Sequence, residues 1–177
     1  FKNSRRLQNI FIVLVSYFFY ACWDWRFLGL IFLSSLVDYT IGLQFNKPLS
    51  QQYKKYLLGF SVLFNLGLLF TFKYFNFFID TFTSVFSFFG TQIQPTSISI
   101  ILPVGISFYT FQTLSYTIDL YKEKITPTKN IVAFFAFVSF FPQLVAGPIE
   151  RASRLLPQFA KKRKFEYSKQ VDGLRLI

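Results

Sequence analysis

Charged residues occur in clusters along this chain and leave long stretches with almost none. Residues 7–23 carry no charge, 27–45 carry only Asp38, and 56–72 carry none before the apolar run continues past Lys73 to residue 79. Residues 81–118 and 131–149 are again uncharged. A helix needs about 20 mainly apolar residues to cross the roughly 30 Å hydrocarbon core of a bilayer, so each run is close to one span in length. Runs such as Ile10-Phe11-Ile12-Val13-Leu14-Val15 do not alternate, which argues against a transmembrane barrel. A soluble chain of 177 residues could hardly bury so many apolar faces at once. The pattern predicts an all-α polytopic transmembrane bundle, in which backbone groups are satisfied within helices. The 81–118 run is too long for one span, and Gly90, Pro95, Pro103 and Gly105 punctuate it. Its second part, about 97–118, reads as the fourth span, and the short aromatic segment 84–89 as lying at the interface.

Orientation follows from the lysines and arginines flanking the spans. Lys2, Arg5 and Arg6 place the start inside, Lys47, Lys54 and Lys55 return the chain there after two spans, and Lys122, Lys124 and Lys129 do so after four. Residues 131–149 should then exit, yet Arg151, Arg154, Lys161, Lys162, Arg163 and Lys164 follow them. A re-entrant segment resolves the conflict. Pro142, Gly147 and Pro148 sit in its second half, where they break a helix, and broken backbone at membrane depth is tolerated only where protein or a watery cavity covers it.

Composition narrows the functional classes. Hydrophobic residues make up 53% and charged residues 15%, so the net charge of +11 does not describe a soluble nucleic-acid binder, and disorder is excluded. Cys22 is the single cysteine, which excludes a disulfide scaffold. The chain has no histidine, hence no histidine metal site and no imidazole base. No metal-ligand cluster, P-loop or dinucleotide loop is present. Bulky residues from Tyr20 to Trp25 replace a signal-peptidase site, there is no methionine, and the last residues read as a helix just starting. The chain therefore reads as the N-terminal portion, residues 1–177, of one membrane-embedded domain cut at both ends.

Several polar residues stand out against this background. Asp38 is costly inside an apolar run and by default suggests function; its off-centre position reads better as an interfacial acid paired with a lysine. Gly105, Gln112, Ser115 and Asp119, at intervals of seven, three and four, share one face of the fourth span, flanked by Tyr109 and Tyr116. Such a stripe faces the bundle or water and serves either interhelical hydrogen bonding or a ligand path. In the broken segment, Gln143 lies between prolines and precedes Gly147 and Pro148, as a kinked helix end or a cavity wall would require. The basic tail 161–164 reads as a topology determinant on an anionic leaflet, Cys22 as a packing residue, and Trp23, Trp25 and Tyr39 as interfacial anchors.

Leu102-Pro103-Val104-Gly105-Ile106-Ser107-Phe108-Tyr109-Thr110-Phe111-Gln112, Asp119-Leu120-Tyr121 and Phe140-Phe141-Pro142-Gln143-Leu144-Val145-Ala146-Gly147-Pro148-Ile149 resemble the membrane-bound O-acyltransferase (MBOAT) family, nearest its alginate O-acetyltransferase-like branch. Phe72-Lys73-Tyr74-Phe75-Asn76 and Leu155-Leu156-Pro157-Gln158-Phe159 fit the same branch. The resemblance implies a helical bundle in the bacterial inner membrane that moves an acetyl group from a cytoplasmic donor, an acetyl thioester or similar, to hydroxyls of an exported polysaccharide. It implies as partners membrane lipid, the polysaccharide acceptor and periplasmic or membrane proteins of polymer acetylation, with no nucleic acid and no bound cofactor or metal. The essential histidine of the family lies in a stretch ending His-Ile-Ser that these residues do not contain, so no catalytic residue is assigned here and the 177 residues alone are expected to be inactive. Gln112, Ser115, Asp119, Gln143, Gly147 and Pro148 are the candidates for lining the cavity or donor path. A transporter or flippase, whose broken helices and polar stripes look alike, and a scaffold for polymer export remain the alternatives.

Overall fold

A computed structural model describes residues 4–88, 102–161 and 167–175, and among these every regular element is helical. Helix α1, Arg5–Asp24, is 20 residues long and rises about 30 Å, enough to cross the hydrocarbon core. It ends where Asp24 turns extended and its carboxylate accepts from the Arg26 backbone amide, starting a single 3₁₀ turn, Trp25–Phe27. Helix α2, Leu28–Gln44, then runs back along α1, and Ile10 and Leu14 of α1 line one cleft with Phe32 and Leu36 of α2. Trp23 and Trp25 are exposed at this turn, as interfacial anchors would be.

Ser50 opens α3, Gln51–Leu69, its hydroxyl accepting from the Tyr53 amide. A π-helical turn, Phe70–Tyr74, joins α3 without a break to α4, Phe75–Phe88. The 38 residues from Gln51 to Phe88 form one apolar helical stretch of about 57 Å, nearly twice the hydrocarbon thickness. Residues 84–88 are thus the end of a long helix, not the separate interfacial segment the punctuation predicts; the turn residues that would interrupt it, from Gly90 onward, lie outside the described residues. Among the described residues, Arg5–Gln44 and Gln51–Phe88 are the two stretches long and apolar enough to span a membrane, in keeping with an all-α membrane protein.

Helix α5, Ile106–Tyr121, starts at Gly105, whose φ of 74° is left-handed and whose missing Cβ would meet the Leu144 carbonyl oxygen at 3.2 Å. Both features need glycine there. Helix α5 packs against α2 and α3, with its Tyr116 ring filling the space beside Gly42.

The 131–149 run is broken as its prolines predict. Asn130 caps α6, Ile131–Ser139, accepting from the Ala133 amide. After Phe140, α7, Phe141–Ala146, begins with Pro142 in its first turn, and α8, Ala152–Ala160, follows. Nine residues of α6 rise only about 14 Å, too little to cross. Asn130 lies beside Ser4, Arg5 and Arg6 at the start of α1, and so do Phe159 and Ala160. Between these points, Phe141 reaches Ser16 and packs on Phe19, and Val145 reaches Trp23 at the far end of α1. The segment therefore travels nearly the length of α1 and returns to the end it left, which is the re-entrant geometry the charge pattern requires.

Helix α6 is the centre of the core: Ala133, Phe134, Ala136, Phe137 and Val138 are fully buried. Phe134 packs on Tyr116 at 4.8 Å and on Tyr39 at 5.6 Å between ring centroids. Tyr39 is therefore no lipid-facing anchor; it is buried and donates its hydroxyl to the Lys129 carbonyl. Cys22, expected to pack inside, is exposed. Helix α9, Tyr167–Arg175, completes the described residues; the basic tail from 162 to 164 falls outside them.

Candidate functional site

The candidate residues fall into two groups, Gln112, Ser115 and Asp119 on α5 and Gln143, Gly147 and Pro148 at the end of α7, and the first group meets the returning segment at α8. Ser115 makes the join: its hydroxyl donates to the Gln112 carbonyl at 2.9 Å and accepts from the amide of Ala152, the first residue of α8, at 3.1 Å. Gln112 and Asp119 lie on the same face and are almost wholly buried. Neither the amide oxygen nor the amide nitrogen of Gln112 has a partner among the described residues, and Asp119 Oδ2 also lacks one. Buried polar groups are normally satisfied, so these atoms have capacity for water, a ligand or further chain. The stripe thus does face the bundle, and it both glues helices and leaves hydrogen-bonding groups in reserve.

Gln143 shapes the exit of α7. Its side-chain amide donates to the Pro148 carbonyl at 2.9 Å, and its backbone carbonyl accepts from the Gly147 amide at 3.2 Å. A Cβ on Gly147 would fall 2.8 Å from Gln143 Cα, so only glycine closes this turn. Gln143 Oε1 stays unpartnered among the described residues. These amides can donate to, accept from and orient a carbonyl-bearing group. They cannot act as bases, so these two side chains can bind and position but not transfer protons.

A second polar cluster lies across α5, and the charge pattern misreads it. Asp38 is fully buried and does not pair with a lysine. One carboxylate oxygen accepts from the Ser61 hydroxyl and the other from Asn65 Nδ2 at 2.7 Å. Asn65 Oδ1 in turn accepts from Ser34 at 3.0 Å and Thr113 at 3.1 Å, while Ser61 and Thr117 share a 3.1 Å contact. Lys54 pairs instead with Glu123, and the Asp38 carboxylate is held between α2, α3 and α5. A charge or carboxyl at this depth is tolerable because each oxygen meets a donor.

Comparison with known proteins agrees with the motifs. The chain is 39% identical over 161 residues to a probable alginate O-acetylase of Azotobacter vinelandii, an alignment covering 90% of this chain and 32% of the relative. It is 37% identical over 162 residues to the probable alginate O-acetylase of Pseudomonas aeruginosa, covering 90% and 31%. The chain is homologous to bacterial O-acetyltransferases. A peptidoglycan O-acetyltransferase of Helicobacter pylori is also related, at 34% identity over 186 residues, 92% of this chain and 34% of that protein. The resemblance carried by the Pro103–Gln112 and Phe140–Ile149 motifs is thereby borne out. The chain spans about a third of the length of these O-acetyltransferases. No family model matches it, and no solved structure does.

Proposed function

We propose that the whole protein to which these residues belong is an integral O-acetyltransferase of the bacterial inner membrane that transfers acetyl groups to hydroxyls of an exported, alginate-like polysaccharide. The observation that carries this reading is homology, over nine-tenths of the chain, to proteins named for O-acetylation of two different polymers, alginate and peptidoglycan. The property common to those names is a polymer hydroxyl as acceptor and acetyl as the group moved.

Acetyl transfer to a hydroxyl needs a base for the hydroxyl proton and donors for the developing oxyanion. On this reading the base is the histidine that the family resemblance implies, and these residues contain none. The contribution of this part is a wall: Gln112, Ser115 and Asp119 on α5 and the Gln143–Gly147–Pro148 turn line the route by which an acetyl thioester reaches the membrane interior from the cytoplasmic side. The acceptor polymer and the periplasmic or membrane proteins that handle it meet the enzyme on its other face.

The test is deletion of the complete gene, with acetate released by mild alkali from exported polysaccharide and from cell wall as the readout. Ester-linked acetate should vanish from one polymer, return with the complete gene and not return with residues 1–177 alone. Unchanged acetate in every polymer would remove the proposal in favour of transport or scaffolding.

A further inference from the structure

We propose that the cleft between α1, α2 and α6 is a binding site for one anionic glycerophospholipid of the cytoplasmic leaflet. The cleft holds about 260 Å³ and its lining is wholly apolar, including Ile10, Val13, Leu14, Phe32, Leu36 and Phe135. Leu14 on α1 and Phe32 on α2, which line it, are exposed apolar side chains, and an acyl chain is a fitting occupant of such a surface. At its cytoplasmic end a second cavity, of about 430 Å³, is polar and basic, lined by Ser4, Arg5, Arg6 and Asn130 with Phe159 and Ala160.

The two cavities are continuous in the chain. Arg6 stands one helical turn below Ile10 on the same face of α1, and Asn130 directly precedes Ile131, whose side chain lines the cleft. Arg5 is committed, donating to the Ala160 carbonyl at 2.9 Å. Arg6 is exposed and forms no ion pair among the described residues.

Charge supplies the rest of the argument. The first turn of α1 holds two arginines and no acid, and Ser4 caps no amide with its side chain. Cations at the positive end of a helix dipole are unfavourable, and an anion there offsets both the dipole and the arginines. A phosphodiester at Arg6, with its acyl chain rising into the cleft, satisfies the basic and the apolar halves together. A free phosphate satisfies only the first. Basic pockets between membrane helices on the cytoplasmic side are recognised positions for anionic headgroups.

The test uses the whole protein in mild detergent, titrated with phosphatidylglycerol or with phosphatidylcholine of identical chains and read by native mass spectrometry. Phosphatidylglycerol should be retained at about fivefold lower concentration, the effect of one basic residue beside an anionic lipid. Arg6→Gln should abolish that preference and Arg6→Lys should keep it. Val13→Trp, which fills the cleft, should lower retention of both lipids, while Phe18→Trp, on a side chain 72% exposed elsewhere on α1, should change neither. Equal retention of the two lipids by the unaltered protein would overturn the proposal. So would unchanged phosphatidylglycerol binding in Arg6→Gln, full competition by inorganic phosphate, or a lipid-free dimer occupying the cleft.

Discussion

Asn9 and Phe159, 150 residues apart, are joined by a 2.8 Å hydrogen bond from the Asn9 side-chain amide to the Phe159 carbonyl. The bond is buried and sits at the end of α8, where helix carbonyls have no partner of their own. Together with the Arg5–Ala160 contact it fastens the return of the re-entrant segment to the start of α1. The reversal in the 131–149 run is thus held at its base by polar side chains and in its depth by Phe19 on Phe141.

Asn9→Leu should therefore loosen the segment. It removes the buried bond to the Phe159 carbonyl, at a cost of about 1–3 kcal/mol. Unfolding of the whole protein in mixed micelles should show a loss of that size, and a cysteine placed at Lys161 should become more reactive to a membrane-impermeant maleimide added from the cytoplasmic side. Unaltered stability and labelling would mean that apolar packing alone holds the return.

The cluster around Asp38 makes a sharper prediction. Asn65→Ala removes the donor to Asp38 Oδ2 and the acceptor for Ser34 and Thr113, and should cost about 2 kcal/mol or more because a buried acid loses its partner. Asn65→Asp should be worse still, since it sets a second carboxylate against the first. Should Asn65→Asp prove as stable as the unaltered protein in the same unfolding assay, a proton or cation must be shared there.

Much of this was legible beforehand. The uncharged runs located the first two spans and the first part of the third helix, and the conflict between Arg151 and the preceding run exposed the re-entrant segment. The stripe of Gln112, Ser115 and Asp119 followed from spacing alone. Asp38 did not, because Lys/Arg counting treats an off-centre acid as interfacial. A signal was nonetheless present: Ser34 and Asp38, Ser61 and Asn65, and Thr113 and Thr117 are each four apart, so three apolar helices each carry one polar pair on one face. Three such pairs have to find one another, and the charge pattern does not register them. The passage through Lys73 was legible, since the apolar run continues to residue 79, but the extension of the same helix to Phe88 was not. A π-turn adds a residue without breaking the helix, and it sets Lys73 Nζ 3.0 Å from Ser107 Oγ.

Gly42 and Tyr116 test the packing of α2 on α5. A Cβ at Gly42 would stand 2.6 Å from the Tyr116 ring, which is fully buried and whose oxygen accepts from the Thr128 amide. Gly42→Ala should cost about 1–3 kcal/mol by overpacking. Tyr116→Leu in the same chain should recover part of that loss, and a double-mutant cycle measures the coupling. Additive losses would show that the helices separate easily.

Between the start of α3 and the turn after α5, Lys54 Nζ lies 2.8 Å from Glu123 Oε1, and this hydrogen bond, followed by the lysine charge, holds the Glu123 carboxyl below its ordinary 4.5. A carboxyl lowered in the folded state stabilises the fold above its unfolded pKa and loses that contribution as pH falls through the folded value. The pair should therefore act fully at neutral pH and fade only in acid below 4.5. Glu123 is exposed, so the effect is small and screened by salt. Glu123→Gln keeps the left-handed backbone at φ 56° comparable and removes the charge. Its stability should differ from the unaltered protein at neutral pH and low salt, and converge with it in acid or in high salt. A constant difference across pH would assign the effect to backbone conformation.

The turn after α7 is where structure meets the proposed chemistry. Alanine at Gly147 drives its Cβ against Gln143 Cα, a backbone atom that cannot swing aside, so the turn must open and the Gln143–Pro148 bond must lengthen. Gln143→Ala removes the same bond without a clash. If this turn helps to position the donor, a displacement of about 1 Å should lower transfer by about one to two orders of magnitude. Both variants, built into the complete protein, should reach the membrane in normal amounts yet leave the exported polymer poor in ester-linked acetate, Gly147→Ala the more so. Full acetylation by both would detach the turn from the donor route and leave it a purely structural end to the re-entrant segment.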